Sequence, residues 1–280
     1  MHPQIGKLAD KVLNTSLLPI FIFTLLLSCQ SIFGPSLEEQ KTQDIVRTQK
    51  SLIISFLNKG LPKMALEELK KLRKAHPHDP DFFNISGLAF LAIKAPIKAT
   101  DYFKKAYKID QKIPFLLNLS SAYIEANNQR AAMQTLKRLI KHPDFSQYDY
   151  PERVYHNLGL ANEKINRKKI AVKFYKKALK ANPTFYISIM RLGQVYQKIG
   201  KLKLAKTYFK KAQILCKACY GPISALSSIY ISQNKIRTAM NLLKSFMRNK
   251  KVQKNDRLRA KKLLKAANRI GSARKKSHKM

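Results

Sequence analysis

Gly159, Gly193 and Ser227 stand 34 residues apart, each directly preceded by Leu and each followed twelve positions on by Ala, at Ala171, Ala205 and Ala239. A chain with a self-similarity of that length builds one supersecondary unit per period and buries its core only by stacking neighbours. The period therefore predicts an elongated all-α, right-handed helical solenoid. The composition agrees: glycine is scarce at 9 residues, tryptophan is absent, and Leu, Ile, Ala, Phe and Tyr are left to pack the helices.

Aligned at this period the chain yields six units, 46–79, 80–112, 113–151, 152–185, 186–219 and 220–253. The fourth carries Tyr155, Leu158, Gly159, Ala171, Tyr175, Ala178 and Pro183 at positions 4, 7, 8, 20, 24, 27 and 32. The fifth repeats the set with Ile189, Leu192, Gly193, Ala205, Phe209 and Ala212. These residues resemble the tetratricopeptide consensus. That resemblance implies two antiparallel helices per unit, small residues at positions 8, 20 and 27 where the helices approach, and an aromatic at 24 filling the space. Position-8 residues from Ile53 to Ser227 are spaced 34, 33, 39, 34 and 34, which predicts a loop insertion near 146–150. Residues 254–271 are expected to form a capping helix that packs Leu258, Leu263, Leu264 and Ala267 and stops at Gly271. Residues 272–280 are expected to be a basic disordered tail.

Charge divides the chain. Through Glu163, 22 Lys and Arg stand against 15 Asp and Glu, and beyond it 33 stand against one, Asp256. The second half is thus a dense cationic surface, attractive to polyanions and sensitive to salt.

The N-terminus narrows the choice of partner. Lys7 and Lys11 precede an uncharged run from Val12 to Leu37, most apolar from Leu17 to Leu27. That apolar part falls short of the ~20 residues a membrane span takes and suits a signal peptide. The run ends in Leu26-Leu27-Ser28-Cys29, which resembles the lipobox of bacterial lipoproteins. The resemblance implies removal of residues 1–28, lipidation of Cys29 and, with Gln30 beside it, export to the outer membrane. Residues 29–44 are then a lipidated tether ahead of the first unit. The other two cysteines, Cys216 and Cys219, stand three apart, close enough for a disulfide in an exported protein. A structural bond and free thiols are both open alternatives.

In the tetratricopeptide family, positions 2, 5, 6, 9 and 12 of each first helix line the concave surface. Those positions place Asn118, Asn157 and Arg191 in one groove with Arg153, His156 and Leu160, suited to hydrogen-bonding an extended peptide. Leu88, Leu91, Ile124 and Met190 are expected to add apolar surface there. No nucleophile, base and acid converge at these positions, so binding is expected rather than catalysis, with no metal and no cofactor.

A lipobox followed by six such repeats resembles the outer-membrane pilotins of type IV pili, the PilF, PilW and Tgl family. The stretch from Pro151 to Ala161 carries most of that likeness. It implies a non-enzymatic assembly factor, lipid-anchored at the outer membrane and facing the periplasm, that helps a secretin subunit multimerise. The alternative is a lipoprotein adaptor of the NlpI type, which recruits peptidoglycan enzymes. The basic half points to an anionic envelope polymer or lipid as a further partner, and the export signal argues against nucleic acid.

Overall fold

The computed structural model describes residues 36–277, so Cys29 and the signal-peptide expectation lie outside the described residues. Among the described residues there are thirteen α-helices and no strand. Twelve of them pair as hairpins: α1 (Leu37–Asn58) with α2 (Pro62–Ala75), α3 (Pro80–Ala92) with α4 (Pro96–Ile109), and α5 (Ile113–Glu125) with α6 (Gln129–Ile140). The series continues with α7 (Pro151–Lys164) and α8 (Lys168–Ala181), α9 (Tyr186–Lys198) and α10 (Leu202–Leu215), and α11 (Tyr220–Ser232) and α12 (Ile236–Arg248). A last helix, α13 (Lys254–Ser277), closes the array.

Every hairpin closes in the same way. Gly60, Lys94, Asn127, Asn166, Gly200 and Asn234 adopt a left-handed backbone, and their spacing of 34, 33, 39, 34 and 34 reproduces the period read from the sequence. After each, the next N–H reaches back five residues, as in Leu61 to the Phe56 carbonyl, Ala95 to Phe90, Arg167 to Asn162 and Lys201 to Tyr196. This is the Schellman closure, which satisfies the carbonyls a helix end leaves open. Glycine and asparagine tolerate that conformation; Lys94 is the one turn residue that pays a steric penalty for it.

The core of each unit turns on one pair, position 8 against position 24. A Cβ added at Gly87, Gly159 or Gly193 would lie 2.5 Å from the ring of Phe103, Tyr175 or Phe209 respectively. Where position 8 is Ser instead, at Ser120 and Ser227, position 24 shrinks to Leu136 and Leu243. All of these side chains are buried. Glycine here is a matter of space: an aromatic ring occupies the volume a side chain would need.

Two boundaries differ from expectation, and the expected insertion carries local structure. Residues 37–44 are helical, not tether: Ser36 Oγ accepts from the Glu39 N–H while Glu39 reaches back to the Ser36 N–H, a capping box that starts α1 early. The insertion after unit three is ordered, with a short 3-10 turn at Pro143–Gln147 and the Phe145 ring meeting Tyr155 edge-on. At the other end, α13 runs through Gly271 to Ser277 instead of stopping, so residues 272–277 are helix, not tail. Gly271 packs beside Ile236 Cγ2, and one helical glycine costs only about 1 kcal/mol. The cap buries Ala260 and Ala267 and seats Leu263 and Leu264 against Ile223, Leu243 and Phe246, whereas Leu258 points outward at 53% exposure.

Candidate partner-binding groove

First helices of successive units lie side by side, and several side-chain bonds join them. Asn118 Nδ2 donates to Asn84 Oδ1 at 2.8 Å, from α5 to α3. Asn157 Nδ2 on α7 donates to Ser121 Oγ at 2.9 Å and Ser120 Oγ at 3.2 Å on α5. The two asparagines expected to meet a partner are therefore half-buried rungs between units, each with its amide nitrogen already engaged.

His156 corrects the sequence reading. It is buried at 8% exposure, with Nδ1 2.9 Å from Ser188 Oγ on α9 and its ring against Tyr175 and Phe185. Burial, and then the charge of Arg191, push it down from 6.5 to about 4, so the ring is neutral and structural at neutral pH. It offers a partner no contact surface. Ile124 is likewise buried, in a cluster with Ala132 and Ala161, and supplies no groove floor. Leu160 packs half-buried on that cluster. Arg153 is exposed and lies over the Tyr150 ring at 5.1 Å.

Around His156 the structure brings together a polar set that the sequence reading did not foresee as one site. Glu163, on the last turn of α7, accepts from Tyr175 Oη at 2.9 Å and from Lys198 Nζ at 2.9 Å. Burial alone would push this carboxyl up. The hydrogen bonds from Lys198 and Tyr175, with the charges of Lys198 and Arg191, outweigh it and hold Glu163 below the usual carboxylate range. Burial, followed by the Glu163 charge and hydrogen bond, raises the Tyr175 hydroxyl. Arg191 stands half-buried at the edge of this set. Its charge acts on His156, Glu163 and Tyr175 through space. The site is thus two cations, Arg191 and Lys198, beside one largely buried carboxylate that Lys198 and Tyr175 hold directly.

Two of these residues carried a signal. Asn84 lies 34 before Asn118, an offset hidden by the 33-residue second unit, and Glu163 is the last acid before a nearly acid-free half. Cys216 and Cys219 are bonded, with Cα atoms 5.4 Å apart. They sit at the end of α10 and the start of α11, so the bond spans the turn between units five and six, not one helix. Among the described residues no group of three or more His, Cys, Asp and Glu is placed to hold a metal, and no helix is long and apolar enough to cross a membrane.

This geometry agrees with the comparisons. Tetratricopeptide-repeat family models match residues 152–185 and 187–216, and 115–144. The chain carries tetratricopeptide repeats, and its described residues form a solenoid of them. No curated protein sequence matches it. Among solved structures, PilW, described as a widely conserved type IV pilus biogenesis factor, superposes with a TM-score of 0.64 at 16% identity, over 76% of this chain and 97% of that one. PilF of Pseudomonas aeruginosa gives 0.60 at 17%, over 76% and 95%. A thermophilic tetratricopeptide protein of Thermus thermophilus gives 0.53 at 20%, over 66% and 98%. The fold of this chain is that of PilW and PilF.

Proposed function

We propose that the protein is a pilotin: a non-enzymatic scaffold that holds a type IV pilus secretin segment in its inner groove and promotes the secretin's arrival and multimerisation at the outer membrane. The observation that carries this reading is the extent of the fold likeness, which takes in 97% of the pilus biogenesis factor PilW. Leu26-Leu27-Ser28-Cys29 supports it by supplying the lipid address such a factor needs. The mechanism asks little chemistry of the chain. Arg191 and Lys198 give an extended segment charged hydrogen bonds, and the asparagine rungs keep adjacent first helices in register while it is held.

Secretin migration on gels after mild extraction tests the reading. Cells without the gene, and cells carrying Cys29→Ala, are expected to accumulate secretin monomers. Normal multimers in both strains would sink the proposal. Co-purification of peptidoglycan hydrolases or synthases in place of secretin would move the assignment to the adaptor alternative.

A further inference from the structure

The turns that join the two helices of each unit, each taken with the first three residues of the second helix, are residues 59–64, 93–98, 126–131, 165–170, 199–204 and 233–238. Because every hairpin runs the same way, these six turns lie along one edge of the solenoid. Together they hold twelve Lys and Arg and no Asp or Glu. The turns between units, along the opposite edge and extended into the following helix in the same way, are 76–82, 110–115, 141–153, 182–188, 216–222 and 249–256, and they hold seven Lys and Arg against seven Asp and Glu. Helices of about 20 Å separate the two edges. The asymmetry is therefore local, and a uniformly lysine-rich composition does not produce it.

Bare aliphatic side chains accompany the cations on that edge. Ile97 is 73% exposed beside Lys98, Met64 45% beside Lys63, Leu204 42% beside Lys203 and Ile170 39% beside Lys169. None of the twelve cations forms an ion pair with a carboxylate among the described residues. The Schellman closures hold the turns in one shape, so little ordering remains to be lost on contact. No aromatic residue lies in these six turns, and single-stranded nucleic acid asks for aromatic stacking platforms. An acidic polymer has no use for exposed isoleucine and leucine. Cations at the level of lipid phosphates, with aliphatic tips entering the boundary below them, are the chemistry of a bilayer interface.

We propose that this edge is a peripheral contact surface for an anionic lipid bilayer, independent of the lipid on Cys29 and of the partner in the groove. The test measures partition of the full chain onto phosphatidylglycerol/phosphatidylethanolamine vesicles and onto neutral phosphatidylcholine vesicles, the latter reporting any background from the N-terminal segment. The chain is expected to prefer the anionic vesicles. Replacing Lys168, Lys169, Lys201 and Lys203 by Gln is expected to cut that preference by roughly 30-fold or more. A control with the same net charge, Gln at Lys173, Lys180, Lys211 and Lys244, deeper in the second helices and away from that edge, is expected to lose less than about 3-fold. A third variant, Ile97→Ser, Ile170→Ser and Leu204→Ser, is expected to lose vesicle binding while still binding soluble polyglutamate. Equal losses in the two lysine variants would overturn the proposal, as would vesicle binding indifferent to the serine substitutions or a wild-type chain that does not distinguish the two vesicles. Circular dichroism verifies that each variant is folded.

Discussion

At the scale of single residues, the pairing of position 8 with position 24 sets what each unit tolerates. Gly193 leaves no space for a side chain because the Phe209 ring fills it, whereas Ser120 and Ser227 sit opposite leucines. Gly193→Ser is expected to cost about 1–3 kcal/mol through overpacking. Adding Phe209→Leu, the combination native to units three and six, should recover about 1 kcal/mol or more as a coupling term. Urea unfolding of both single variants and the double checks this, and simple additivity would refute the steric account. The glycines themselves were legible from the period. The exchange between the two positions needed the helices in place, since sixteen residues of sequence separate partners that touch only once the hairpin closes.

At the scale of elements, the contact between α7 and α9 makes a pH-dependent joint. Unfolded, His156 takes a proton near 6.5; folded, near 4, held there by burial and by Arg191. Between those values the unfolded chain binds more protons, so stability falls as pH drops through the window, by up to about 3 kcal/mol. Glu163 has the opposite sense of shift from burial alone. Its folded value is depressed, so its contribution is present above the ordinary carboxylate range and is lost as pH falls below it. His156→Gln should therefore flatten the stability profile from pH 6.5 to 4.5 in denaturant titrations, and an unchanged slope would exclude His156 as the cause. Sequence reading placed His156 on the correct helix and the wrong side of it. Position 5 of a first helix faces the groove in the family pattern, but here Ser188 of the next unit offers a buried hydroxyl and Phe185, the residue just before α9, a ring. The early start of α1 is a different case. Its capping residues Ser36 and Glu39 are plain in the sequence, yet the polar stretch that follows has no apolar face strong enough to mark a helix.

At the scale of the whole molecule, charge is the dominant unbalanced quantity. Beyond Glu163 the described residues make two ion pairs involving basic groups, Lys198 with Glu163 and Arg259 with Asp256. The remaining cations repel one another across stacked units, and that repulsion weakens as salt shortens its range. The thermal midpoint is expected to rise by about 5 °C between about 20 mM and about 0.5 M sodium chloride, followed by circular dichroism. A flat or falling midpoint would show that the cations are already neutralised by geometry. The division was visible in composition; that the turn edges differ so sharply was not, because only the fold reveals which turns share an edge.

The close contact of glycine with an aromatic ring has one more consequence. In each of these hairpins the protrusion and the recess that receives it belong to the same repeat unit, and the closing turn is bonded within that unit too. A neighbour is not needed to cut the shape. Such a segment can be duplicated, deleted or exchanged without recarving the one beside it, so the length of the array is free to follow the length of whatever it grips.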